Sequence, residues 1–157
     1  MVKTNNRSRR RFASRIAPDV RIEAVVLLKW LKGPNTTKRS NALALYIDRY
    51  GLTNTLGSHS MLSDQWLVLT EHRFLLFAKR GGGIVSRIGP LEHTLHRTDV
   101  ELQWADFIEA TLHKRILHLT TTDHRMNISQ TVVTNDEADL LVQAVGGRSR
   151  QIGLHEL

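Results

Sequence analysis

Eight histidines and no cysteine are the side chains of this 157-residue chain that could do the most chemistry. Zinc needs three or four converging ligands. His93 and His96 stand three apart, and His113 and His118 stand five apart. Glu92-His93 sits in LEHTLH just after Pro90, which reads as a loop, and no His-Glu-x-x-His helix exists to make a metalloprotease site. If His113 and His118 share one strand, their odd spacing sends them to opposite faces. The absence of Cys excludes disulfides, thiolate zinc sites, iron–sulfur clusters and a cysteine nucleophile. Ser58-His59-Ser60 has no Gly-x-Ser-x-Gly elbow and no acid nearby in sequence. Lys79-Arg80-Gly81-Gly82-Gly83 lacks the Gly-Lys-Ser/Thr of a phosphate loop. It reads as a hairpin turn flanked by two cations, so Lys79 and Arg80 are candidates for contact with a partner. These residues lead to no catalytic group, no metal site and no cofactor, and so to a protein that is not an enzyme.

The remaining chemistry is charge. The formal net charge is +7, and residues 1–15 hold Lys3, Arg7, Arg9, Arg10, Arg11 and Arg15 with no acid. The other 142 residues carry 16 basic and 15 acidic side chains and are nearly neutral. The basicity therefore sits in an arm. Self-repulsion and the scarcity of apolar residues predict that residues 1–18 are disordered. Such an arm could neutralise nucleic-acid phosphates. It could settle on anionic lipid head groups, act as an organellar transit sequence, or only solubilise the chain.

The body must supply any specific contact. Asp19–Leu31 reads DVRIEAVVLLKWL, and its alternation supports a strand with two partly apolar faces. Its Glu, Ala, Leu and Lys content also permits a helix. Residues 38–50 carry Leu43, Ile47 and Tyr50 at helical spacing and read as an inserted helix, followed by a loop over 51–63. From Asp64 onward short apolar runs alternate with turns: 65–70, 73–79, 84–91, 100–104, 107–112, 115–121 and 125–132. Turns are expected at Glu71-His72, at Gly81–Gly83, at His113-Lys114 and at Asp123-His124. Pro90 marks the end of its strand. Over 134–145 the period changes, and Ala138, Leu141, Val142 and Val145 share one helical face. Thr134 or Asn135 can cap this helix, and Gly146-Gly147 ends it. Residues 148–157 read as a frayed tail. The expected fold is mainly β (α+β): a bent sheet or partly open barrel of about seven strands, capped by a C-terminal helix.

The stretch from Trp66 to Phe77, WLVLTEHRFLLF, resembles the first hairpin of bacterial pleckstrin-homology-like (PH-like) domains, with their Thr-x-x-Arg turn at Thr70–Arg73. Arg21–Val25 resembles the opening strand of small actinobacterial members. The resemblance implies a PH-like domain over 19–147, between the arm and the tail. It also implies a binding or adaptor module, because relatives bind phosphoinositides, other lipids, peptides or proteins. Versions that bind phosphoinositides use a basic cluster between their first two strands. This chain lacks that cluster, and Lys38 and Arg39 are the nearest equivalents.

The expected function is a non-enzymatic adaptor for a protein partner or an anionic phospholipid surface. Lys3, Arg7, Arg9, Arg10, Arg11, Arg15, Lys38 and Arg39 are its candidate phosphate contacts. The alternative is a nucleic-acid-associated protein that uses the same arm. The expected location is cytoplasmic, with peripheral membrane attachment open to it.

Overall fold

The computed structural model describes residues 6–30, 55–56, 64–81, 87–109 and 111–152. The segment 19–31, open between strand and helix in the sequence, is a strand, β1 (Ile22–Trp30). Its alternation has a clear use. Ala24, Val26 and Leu28 enter the main core with Leu67, Leu69, Phe74 and Leu76, while Val25 lies in a second cluster on the opposite face. An irregularity between Ile22 and Ala24 shifts the phase, so Ile22 packs with that second cluster too. β3 (Gln65–Thr70) is buried at every position, which requires cover on both of its faces.

Short β2 (Thr55–Leu56) pairs with β8 (Met126–Val133). It falls inside the segment expected to be a loop. The helix expected over 38–50, the candidates Lys38 and Arg39, and the rest of 51–63 lie outside the described residues. β3 and β4 (Arg73–Arg80) form the expected tight hairpin. In its turn the Thr70 hydroxyl accepts from the Arg73 N–H at 3.1 Å.

Three expected boundaries move. β5 (Arg87–His96) continues through Pro90, so His93 and His96 lie in a strand and not in a loop. β5 is an edge strand, where a missing N–H can face outward at no cost to the ladder. β6 (Val100–Glu109) and β7 (Leu112–Thr121) are each one long strand, paired from Val100↔Thr121 to Glu109↔Leu112. Their turn therefore falls before Leu112, with Thr111 at φ 70°, and not at His113-Lys114. The Asp123-His124 turn is as expected. The Asp123 carboxylate accepts from the Thr121 hydroxyl at 2.6 Å and from the Arg125 N–H at 3.0 Å.

The described strands form one mixed sheet in the order β5-β4-β3-β1-β8-β7-β6-β9, with β2 alongside β8. It does not close into a barrel. β1 joins its two halves, pairing with β3 up to Leu28 and with β8 at Lys29 and Trp30. Helix α2 (Asp136–Val145) packs Ala138 and Leu141 into the main core. The Asn135 side chain caps it by accepting from the Ala138 N–H at 2.9 Å. Gly146, at φ 63°, ends it in a conformation that favours glycine. The chain then makes β9 (Ser149–Gln151), parallel to β6, and buries Ile152. The C-terminal stretch is thus part of the sheet as far as Ile152. A free β6 edge and one apolar anchor were enough to order it.

Candidate functional site

Residues 6–16 correct the expectation of a disordered arm. They begin with helix α1 (Asn6–Phe12) and lie against the outer face of β1, β3 and β4. Phe12 is completely buried. Its ring centroid is 5.8 Å from that of Trp66 in an edge-on contact and 5.2 Å from that of Phe77. A composition argument counts the arginines and overlooks this anchor. A helix of two turns is marginal alone, so the sheet must hold it.

The arginines add to that attachment. The Arg9 Nε donates to Glu137 at 3.1 Å, and its terminal nitrogens donate to the carbonyls of Ile22 at 3.2 Å and Glu23 at 2.9 Å. Glu137 is buried and also accepts from the Val25 N–H at 2.8 Å. The Arg11 guanidinium lies 5.2 Å from the centre of the Trp66 ring. Arg15 donates to the carbonyls of Gly89 at 3.2 Å and Ile88 at 3.1 Å. Arg9, Arg11 and Arg15, three of the expected phosphate contacts, are thus engaged within the molecule. Arg10 is exposed. Arg7 belongs to α1, whose described side chains begin at Arg9, and Lys3 lies outside the described residues.

The same division runs through the hairpin candidates. Lys79 is mostly covered and pairs with Asp64 at 3.6 Å, beside the Lys29–Asp64 pair at 3.3 Å. Arg80 is exposed and stands directly across the ladder from Arg87, also exposed. Neither pairs with an acid among the described residues. Like charges directly opposite in a ladder are destabilising. The strands approach closely here. A Cβ at Gly89 would lie 2.8 Å from the Ala78 carbonyl oxygen and 3.1 Å from the Arg80 Cγ. The Arg80 stem therefore passes over Gly89, whose carbonyl also holds Arg15. Arg15, Arg80 and Arg87 gather at this end of the hairpin. Sequence reasoning found Arg80 and missed Arg87. The available signal was the spacing of the two arginines around Gly81–Gly83, which a hairpin turns into opposition.

Two further arginines work inside the fold. Arg97 donates to Glu23 and to the carbonyls of Thr70 and Glu71. Arg115 is buried, lies 4.2 Å from the centre of the Trp104 ring, and pairs with Asp106 at 2.6 Å and Asp139 at 3.0 Å. Burial opposes its charge, but the two carboxylates more than offset this and raise its pKa above the usual guanidinium value.

The histidines do not converge. His113 is exposed and His118 buried, on opposite faces of β7, as the odd spacing requires. Burial lowers the His118 pKa to about 4, so it is neutral at pH 7, and its ring contacts the Thr120 hydroxyl at 3.2 Å. Among the described residues no three potential ligands group around a metal position. No described helix is long and apolar enough to cross a membrane. No protein-family model matches the sequence, and no curated protein matches it either.

Proposed function

We propose that this chain is a non-enzymatic, PH-like adaptor module that engages an anionic phospholipid surface through the arginines at the end of the β4–β5 hairpin. The order of elements supports the PH-like part. Four antiparallel strands, β1, β3, β4 and β5, are followed by the β6–β7–β8 meander and a helix packed on the core. The observation that carries the ligand class is the unpaired opposition of Arg80 and Arg87, with Arg15 beside them. An anion placed between the two guanidinium groups would turn their repulsion into attraction.

Each basic residue near an anionic surface contributes about 1 kcal/mol. Arg80 and Arg87 together therefore give a reversible bias toward the surface and not a permanent anchor. The nucleic-acid alternative rested on a free arm, and the docking of Arg9, Arg11 and Arg15 leaves it the weaker reading. Co-sedimentation with vesicles of phosphatidylserine and phosphatidylcholine, compared with pure phosphatidylcholine, tests the proposal. The full chain pellets with the anionic vesicles only, and Arg80→Glu/Arg87→Glu stays in the supernatant. Equal pelleting of that variant and the parent would refute the site.

A further inference from the structure

The β4–β5 ladder is interrupted just before it reaches the Arg80–Arg87 pair. Its register shifts between Leu76 and Phe77 and again between Phe77 and Lys79. The pairs described beyond these shifts are Lys79↔Ile88 and Arg80↔Arg87. β5 is also an edge strand, and Pro90 within it has no N–H to donate. The repulsion between the two arginines therefore falls on a short end of the ladder. A hold from outside the ladder has the most to contribute here.

The arm supplies that hold. The Arg15 N–H donates to the Phe12 carbonyl at 2.9 Å, so Arg15 follows directly from the buried ring. Its guanidinium donates to two consecutive carbonyls of β5, those of Gly89 at 3.2 Å and Ile88 at 3.1 Å. Consecutive carbonyls point to opposite sides of a regular strand. One side chain that reaches both is matched to the irregular backbone at this place. The Ile88 and Ile16 side chains both pack against the cluster of Phe12, Trp66 and Phe77. By the alternation of a strand, Arg87 then projects from the other face, with Arg80 across from it. Arg15 therefore reaches the pair through the backbone of residues 87–89.

On the proposal that Arg80 and Arg87 meet an anionic phospholipid surface, we infer that Arg15 is a positioning residue for that site, and that arm docking and anion binding are linked through it. The docked arm fixes the backbone that sets Arg87 opposite Arg80. An anion that draws the two guanidinium groups together favours the same backbone, and so favours the docked arm. The two effects must be equal in size, because linkage is reciprocal. Arg15 acts here through the geometry of its planar fork and not through its charge alone. A lysine keeps the charge and lacks the fork, so it is a poor replacement.

Two measurements on the full chain provide the test. Without lipid, Arg15→Lys speeds hydrogen exchange about ten-fold at the amides of residues 79–80 and 87–88 that hold the end of the ladder, a local opening that leaves the core protected. In titrations with phosphatidylserine/phosphatidylcholine vesicles, Arg15→Lys weakens binding about five-fold, the low end for coupled sites. Arg125→Lys makes the same change at an exposed turn and leaves vesicle binding as in the parent. Parent-like vesicle binding by Arg15→Lys would mean that only its charge matters, and would overturn the inference. So would unchanged exchange at the end of the ladder. A parent chain that itself ignores anionic vesicles would sink the anion site and the linkage together, whereas a parent that binds as well as Arg15→Lys does sinks the linkage alone.

Discussion

The N-terminal arm and the β4–β5 hairpin carry the same side chain and use it in opposite ways. In the arm, Arg9 and Arg15 are spent on Glu137 and on backbone carbonyls, and Phe12 fixes the register. At the hairpin, Arg80 and Arg87 face each other with no acid paired to either among the described residues. The arm holds more arginines, yet the hairpin is where we propose that an anion binds. A cation is available for recognition only where the fold leaves its charge uncompensated.

If the arm is structural, removing its anchor must cost stability. Phe12→Ala empties a fully buried aromatic site, and a loss of about 3–5 kcal/mol is expected in urea denaturation. That is a large part of the total for a domain of this size. A change below about 1 kcal/mol would mean that the arm is not docked in solution. Glu137→Gln weakens the arm from the other side, because a buried carboxylate loses its charge opposite Arg9 while Val25 keeps an acceptor. The expected cost is about 2 kcal/mol, within the range for hydrogen bonds to charged groups.

The pH dependence of stability is expected to come from His118. The folded-state pKa of His118 is about 4, against 6.5 for the free side chain. Between these values the unfolded chain takes up a proton that the folded chain does not, so stability falls as pH drops from 6.5 toward 4. The full effect is about 3 kcal/mol, and His118→Gln should abolish this part of the pH dependence. A stability profile that stays flat from pH 7 to 4.5 in the parent would exclude a buried neutral His118.

The hairpin should behave in the reverse way. Gly89→Ala forces a methyl group against the Ala78 carbonyl and the Arg80 stem. Overpacking of this kind costs about 1–3 kcal/mol, and it should reduce vesicle binding by displacing Arg80. Arg80→Glu/Arg87→Glu has the smallest expected effect on stability, about 0.5 kcal/mol or less in either direction, as for other exposed positions. Its effect on vesicle binding should be the largest. A variant that destabilised as much as Phe12→Ala would erase the distinction between the two regions.

Much of the β architecture was legible because the signal is local. The Thr70–Arg73 hairpin, the two-faced alternation of β1, the Asp123-His124 turn and the capped C-terminal helix all follow from residues within a few positions of each other. Errors came where a distant partner decided the outcome. Pro90 normally stops a strand, but an edge position removes the conflict. Arg9, Arg10 and Arg11 predict repulsion and disorder, but Glu137 stands 128 residues from Arg9 and is invisible to a local reading. Ile152 looks like part of a polar tail until the free edge of β6 gives it a place. The candidate site was half legible for the same reason. Arg80 stands beside a turn, whereas Arg87 gains its meaning only from the register of the ladder.

The central claim is that Arg9, Arg11 and Arg15 are internal fasteners, whereas Arg80 and Arg87 pair with no acid among the described residues. Hydrogen exchange at the arginine Nε–H groups, followed by NMR in the full chain at neutral pH, tests it most directly. The Arg9 Nε–H, bonded to buried Glu137, should give a resolved resonance that exchanges at least ten-fold more slowly than those of Arg80 and Arg87. Equal and rapid exchange at all three would place the arm free in solution and contradict the account.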